Sequence, residues 1–321
     1  MIALLGATGY IGQAFADVLR ERNREFTPLS RKNLNYTHFD SLLGWLRETK
    51  PEFLINVAGY TGKPNVDACE TAQADTLDGN AALPKMIAEA CAATNTPWGH
   101  ISSGCIFSGA KISENGKTYV EKDLTKPEMR ELVDKNPAAI HGFTEIDPPN
   151  FSFRDLPCSF YSGTKAIGEE AITDAPQCYV WRLRIPFDEF DNARNYLSKV
   201  QRYSKVYDNV NSISHRADYA RACLDLWDLR APFGIYNVTN PGFVTTRHVV
   251  TVLEKILKPA KRFEFWESDE EFYKVAAKTP RSNCVLDTSK LLGAGVSIRT
   301  VEEALEHSLR NWKPEPQNSK A

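Results

Sequence analysis

Ile2-Ala3-Leu4-Leu5-Gly6-Ala7-Thr8-Gly9-Tyr10-Ile11-Gly12 follows directly on Met1. The four apolar residues read as a buried strand, and the glycines after it lead into a helical pattern over 10–22. Glycine lets the backbone turn sharply and approach a pyrophosphate closely. The start of a helix adds unpaired N–H groups and the positive end of its dipole. The spacing is G-x-x-G-x-x-G rather than G-x-G-x-x-G, so its position right after a strand carries the weight.

Working outward, short apolar runs alternate with helical patterns as far as residue 185, which predicts βαβ units and a parallel sheet. Strands are expected at 2–5, 25–29, 53–57, 98–102 and 179–183, with helices at 10–22, 41–48, 81–93 and 161–172. The fold class is α/β: a doubly wound parallel sheet of Rossmann type with a smaller C-terminal substrate domain. The expected division is 1–186, joined by about 210–240, for dinucleotide binding. Residues 187–209 and 241–312 form the substrate domain, and 313–321 a flexible tail. Further helices are expected at 192–203, 218–228, 249–257, 270–277 and 301–311, and a short strand at 234–238. The run 109–157, rich in proline and charge, breaks the rhythm. It is expected to be an insertion, a lid or an interface element, and read most simply it is a solvated loop with one short helix at 128–135.

Composition narrows the class. The 321 residues are 42% hydrophobic and 25% charged, with 39 Lys+Arg against 41 Asp+Glu, so no basic field exists for nucleic acid or an anionic membrane. The seven Cys show no C-x-x-C and the six His no ligand spacing, so neither a metal site nor a disulfide framework is expected. Reduced thiols, and a strand where a leader would lie, predict a cytoplasmic protein without a membrane span.

The end of the second strand selects the dinucleotide. An acid there would bind the ribose 2′-hydroxyl and repel a 2′-phosphate. Instead Ser30-Arg31-Lys32 offers a hydroxyl and two cations, so NADPH is expected, with NADH left open. The same letters also suit a merely solvated basic turn. Tyr161-Ser162-Gly163-Thr164-Lys165 sets Tyr and Lys on one helix face. A nearby ammonium, with the nicotinamide's own positive charge, should bring the phenol, ordinarily near 10, closer to working pH. With a serine at the strand end, Ser102-Ser103, these residues make a carbonyl hydride-transfer site.

At this point the sequence resembles the extended short-chain dehydrogenase/reductases. Within them it is most similar to plant-type nucleotide-rhamnose synthase/epimerase-reductases and dTDP-4-dehydrorhamnose reductases. The stretches that carry this are Asn56-Val57-Ala58-Gly59-Tyr60-Thr61-Gly62-Lys63-Pro64-Asn65-Val66-Asp67, Gly104-Cys105-Ile106-Phe107, Ser159-Phe160-Tyr161-Ser162 and Ala193-Arg194-Asn195-Tyr196-Leu197-Ser198-Lys199. Asn237-Val238-Thr239-Asn240-Pro241-Gly242 and Pro280-Arg281-Ser282-Asn283 match as well.

The resemblance implies an NADPH-dependent 3,5-epimerase/4-reductase acting on a UDP- or dTDP-4-keto-6-deoxy-hexose. Ser103, Tyr161 and Lys165 would serve reduction, and Cys105 with Lys199 would exchange ring protons. Gly6, Thr8, Gly9, Tyr10, Ile11, Gly12, Ser30, Arg31, Asp40, Ala58, Gly59, Tyr60, Arg184 and Pro186 would line the cofactor with Tyr161 and Lys165. Lys63, Asn65, Asn195 and Arg281 would hold the substrate, and a homodimer stays open. From the residues alone, Cys105 equally suits a small buried filler, Lys199 a surface lysine and Arg281 an interdomain ion pair. A plain 4-ketoreductase and a non-catalytic regulatory subunit keeping the cofactor fold are the rival functions.

Overall fold

Six of the apolar runs pair as one parallel sheet in the computed structural model, which describes residues 1–314. They are β1 (Ile2–Leu5), β2 (Phe26–Leu29), β3 (Phe53–Asn56), β4 (Trp98–Ser103), β5 (Cys178–Leu183) and β6 (Gly234–Asn237). Their order across the sheet is β6-β5-β4-β3-β1-β2. The order reverses between β1 and β3, and in such sheets ligands bind outside the carboxyl ends at that point.

Helices cover both faces, so β1 and β3 are buried at every position rather than alternating. Ile2 and Leu4 pack on one face with Phe15, Leu19, Trp181, Tyr219 and Trp227. Ala3 and Leu5 pack on the other with Leu42, Leu46, Leu54 and Ile87. The helices on the sheet are α1 (Tyr10–Glu21), α2 (Phe39–Thr49), α3 (Leu83–Thr94), α5 (Phe160–Ala171) and α7 (Arg216–Asp228), while α4 (Pro127–Lys135) and α6 (Tyr196–Arg202) pack in clusters away from it. A separate apolar cluster of Phe187, Leu197, Val206, Val249, Leu253 and Leu305 forms the core of the C-terminal part.

Three expectations change. Residues 109–157 are not a solvated loop: Ala110–Glu114 and Lys117–Glu121 form an antiparallel hairpin, and Ile140–His141 adds a third strand. Ala110 and Ile112 are fully buried with Leu124 and Met129, against Val210 and Val285 from the C-terminal part. The helix expected from Asn192 begins only at Tyr196, because the Asn195 carboxamide accepts a hydrogen bond from the Leu197 N–H and sets the cap there. Lys313 is tied down at the start of the expected tail. Its N–H donates to the Glu189 carbonyl at 2.8 Å, and its own carbonyl accepts from Asp191. The rest of that tail, 315–321, lies outside the described residues. Among the described residues no helix is long and apolar enough to cross a membrane.

The glycine turn is built by backbone against backbone. Gly6 has φ +76°, and a Cβ there would lie 2.8 Å from the Ala58 nitrogen at the end of β3. A Cβ on Gly12 would lie 2.2 Å from the Gly6 carbonyl oxygen. Gly12→Ala should therefore cost about 1–3 kcal/mol or more, as overpacking does. Urea unfolding should show a lower midpoint at unchanged slope; an unchanged midpoint would contradict the packing described.

Candidate active site

The carboxyl ends of β1, β3, β4 and β5 converge where the strand order reverses. Gly6 closes β1, and its N–H donates to the Leu29 carbonyl at 3.1 Å, which sets Ser30 beside the turn. Gly9 caps α1 without a side-chain acceptor, leaving the first-turn N–H groups uncapped. Thr8 and Gly9 are exposed, Tyr10 and Ile11 partly so, and Gly12 is buried in the turn. Arg31 and Lys32 point into solvent, while the Ser30 N–H is held by the Asn33 carboxamide at 2.6 Å. Asp40 stands exposed in the first turn of α2.

Tyr10 is locked from the far side of the crevice. The Arg216 guanidinium lies over its ring at 4.5 Å and donates to its carbonyl at 3.1 Å, while also pairing with Asp188 at 2.7 Å. The N-terminus of α7 thus braces the turn.

The β3 exit is shaped by two asparagines that the motif reading did not single out. The Asn56 carboxamide accepts from the Ala58 N–H at 3.0 Å and faces His100 at 3.0 Å. Asn80, inside a π-helical segment Asp78–Ala82, accepts from the Tyr60 N–H at 2.9 Å and donates to the Tyr60 carbonyl at 2.8 Å. A polar residue buried in a helix interior was the available signal, since it has to find partners elsewhere.

Tyr161 and Lys165 lie on α5, one turn apart. The Lys165 ammonium donates to the Ile101 carbonyl at 3.2 Å, and a Cβ on Gly59 would lie 3.6 Å from its Nζ. The Ser103 hydroxyl lies beside the Tyr161 phenol and favours its ionised form. It also accepts from the Cys105 N–H at 3.2 Å. Tyr161 packs against Cys105, Phe107, Phe143 and Leu286. Ser103, Cys105, Tyr161, Lys165 and Gly59 therefore meet at one place.

Their protonation departs from the sequence expectation. Burial pushes the Tyr161 phenol up from its usual value, the neighbouring Cys105 adds to this, and Ser103 and Arg184 only partly oppose it. The Cys105 thiol is also raised, by burial first, although Ser103, Ser162, Arg184 and Lys165 pull the other way. Lys165 is lowered by burial. Burial therefore outweighs the hydroxyl and the cation that would favour phenolate.

Arg184 is buried, and its guanidinium is spent on the Asn211 carboxamide at 2.6 Å and on the Ser282 carbonyl. Next to it Ile185 has φ +36°, a strained conformation for a β-branched residue, immediately before Pro186.

The expected substrate residues are scattered over separate contacts. Lys63 and Asn65 are exposed on the loop after β3. Asn195 is fully buried, its amide donating to Asp188 and to the Phe190 carbonyl at 2.7 Å, so its task in the fold is to cap α6. The Arg281 fork is bidentate on Asp67 at 2.6 and 2.8 Å, the ion-pair alternative weighed for it. Lys199 is half-buried, and burial followed by Arg194 lowers its ammonium pKa. Among the described residues no hydrogen bond or ion pair joins Lys199 to Cys105.

A buried thiol with a raised pKa should react slowly. In the protein without added ligands, iodoacetamide at pH 8 should label Cys105 at least ~10-fold more slowly than a free thiol. Mass spectrometry of its peptide over time checks this, and labelling as fast as in urea would contradict the burial.

Comparisons agree with this architecture. Residues 1–130 match the RmlD substrate binding domain family model. A trifunctional UDP-glucose 4,6-dehydratase/UDP-4-keto-6-deoxy-D-glucose 3,5-epimerase/UDP-4-keto-L-rhamnose-reductase of Arabidopsis thaliana is 30% identical over 266 residues, covering 83% of this chain and 35% of that protein. The chain thus spans about a third of the length of such plant relatives. A bifunctional dTDP-4-dehydrorhamnose 3,5-epimerase/dTDP-4-dehydrorhamnose reductase of the same plant is 28% identical, covering 94% of this chain and 90% of that one. Among solved structures, the L780 UDP-rhamnose synthase of Acanthamoeba polyphaga mimivirus aligns with TM-score 0.79 at 21% identity, over 97% and 99% of the two chains. A dTDP-4-dehydrorhamnose reductase of Bacillus anthracis, solved with NADP, aligns with TM-score 0.73 at 18% identity over 97% of both. The chain is therefore a relative of the plant rhamnose-synthase reductase segments and the dTDP-4-dehydrorhamnose reductases.

Proposed function

We propose that the protein is an NADPH-dependent 4-ketoreductase of a nucleotide-activated 4-keto-6-deoxy-hexose that also epimerises C3 and C5. The single observation that carries this is the meeting of Ser103, Tyr161 and Lys165 beside Gly59, at the carboxyl edge where the sheet order reverses.

The residues present fit a reduced dinucleotide. The turn at Gly6 and Gly12 has no room for a Cβ, α1 leaves its first N–H groups free, and Arg31 stands exposed beside Ser30. Gly6 to Gly12 would hold the pyrophosphate, Ser30 and Arg31 a 2′-phosphate, Ala58 to Tyr60 the adjoining ribose, and Arg184 to Pro186 would border the ring. NADPH, when bound, supplies the hydride for the ketone carbon.

The chain's own residues do the rest. Ser103 and Tyr161 donate hydrogen bonds to the C4 carbonyl oxygen, and Tyr161 passes its proton to that oxygen as it becomes the alcohol. A phenol kept protonated by burial suits the reductive direction. Lys165 orders the ribose and supports the phenolate left behind. For epimerisation, the lowered pKa of Lys199 favours the base and the raised pKa of Cys105 the acid. Lys199 takes the acidic C–H proton beside the ketone and Cys105 returns one on the other face. The pair then stands with roles reversed for the second centre. The C-terminal part, 187–209 with 241–312, would carry the substrate, with Lys63 and Arg281 at its diphosphate.

A plain reductase is the second reading, favoured because among the described residues no hydrogen bond or ion pair ties Lys199 to the cluster of Ser103, Cys105 and Tyr161. One experiment in D₂O separates the two. Purified protein is given NADPH and UDP- or dTDP-4-keto-6-deoxy-glucose, absorbance is followed at the nicotinamide band, and the sugar is identified by NMR. Deuterium should enter at C3 and C5, and Cys105→Ser should abolish that while reduction continues. Incorporation at neither centre would leave only the plain reductase. Tyr161→Phe should lower kcat by about 10²–10⁴-fold, as loss of a general acid does. NADPH should give a higher kcat/KM than NADH. Undiminished turnover in Tyr161→Phe would overturn the mechanism.

A further inference from the structure

Tyr161, Lys165 and Glu169 follow one another at intervals of one turn on the inner face of α5. The proposed mechanism uses the first two. Glu169 is buried, and its carboxylate accepts three bonds from two strands of the sheet. The Ser102 hydroxyl donates to it at 2.5 Å, the Arg182 Nε at 3.1 Å and the Arg182 Nη2 at 2.7 Å. Ser102 and Arg182 are register partners on β4 and β5, so the carboxylate grips both strands at one level. Arg182 is itself held from the other side, over the Phe107 ring at 5.0 Å, and Phe107 stacks on Phe143 at 4.8 Å. Ser102 directly precedes Ser103, and Phe107 packs in the same cluster as Tyr161 and Cys105.

A buried ion pair is weak support for stability, because desolvation of both charges offsets their attraction. Its geometry, however, is strict. Three directed bonds define how far α5 lies along β4, and that distance sets the reach of Tyr161 to Ser103. Three other ties of α5 are single bonds: Lys165 to the Ile101 carbonyl, Thr164 from the Asn80 amide and the Phe160 N–H to Glu70.

We propose that Glu169, with Ser102 and Arg182, is a positioning clamp that sets the Tyr161–Ser103 geometry for ketone reduction. This rests on the reductase reading above. Glu169 touches neither reacting atoms nor cofactor; it acts through the helix.

Glu169→Asp tests the clamp by keeping the charge and shortening the arm by one methylene, so that α5 must shift or the bonds must lengthen. A misplacement of about 1 Å costs on the order of 10²-fold in rate. The expected result is a kcat lowered by roughly 10–100-fold with KM for NADPH and ketosugar unchanged. Its crystal structure should show the Tyr161 hydroxyl displaced relative to Ser103. A folded Glu169→Asp protein with parental kcat and an undisplaced Tyr161 would overturn the proposal. Should that variant not fold, Ser102→Ala removes one bond and leaves the ion pair intact. Reduced kcat at unchanged KM then supports the clamp, and parental kcat overturns it. If the parent fails to reduce either ketosugar, the reductase reading falls, while the position of Tyr161 in the variant crystals still decides the clamp.

Discussion

Everything at the crevice depends on one helix being held against two strand ends. α5 carries the phenol and the ammonium, and it is tied to the strands where Lys165 donates to the Ile101 carbonyl and Glu169 accepts from Ser102 and Arg182. Apolar contact alone is not directional and would tolerate sliding of the helix along the sheet. Polar bonds placed one turn apart are directional, and here they bracket the strand residue that leads into Ser103. The same helix is anchored at its start from outside the sheet, where the Glu70 carboxylate accepts from the Phe160 N–H at 2.8 Å.

Glu70 also accepts from the Thr279 hydroxyl at 2.7 Å, which begins a second layer of ties. The loop after β3 is gripped by the C-terminal part at three places: Thr279 on Glu70, Arg281 on Asp67, and Arg194 on Thr61 and the Gly62 carbonyl. The Arg281–Asp67 pair is partly exposed, so its net contribution is modest and water competes for both partners. A doubly charged phosphate offers the same planar fork a stronger partner than one carboxylate. The geometry at Arg281 is therefore compatible with the ion pair here and with a diphosphate there, which the fork cannot hold together with Asp67.

The sheet and the glycine turn were legible because their signals are local. A four-residue apolar run before a glycine turn can be read without knowing what covers it, and Tyr161 with Lys165 needs only helical spacing. What escaped was set by residues distant in sequence. Ala110 and Ile112 sit in a polar, proline-rich run, and only the packing of Val210 and Val285 over them makes the hairpin a structured element. Arg281 meets Asp67, far along the chain, and no spacing rule predicts that partner. Asn195 is a local case: its carboxamide accepts from the Leu197 N–H and donates to the Phe190 carbonyl, bonds that the motif does not reveal.

The largest departure concerns charge, and it changes the chemistry. An ammonium one turn from a phenol suggests a lowered phenol pKa only where both remain hydrated enough for their attraction to dominate. Here burial acts on the titratable members of the cluster in the direction that disfavours charge: phenol and thiol move up and Lys165 moves down, as does Lys199 outside it. A ketone reduced by hydride needs a proton from a neutral donor, and a carbon acid needs a neutral or anionic base. The dry setting that opposes phenolate thus keeps the Tyr161 proton where the proposed reduction needs it.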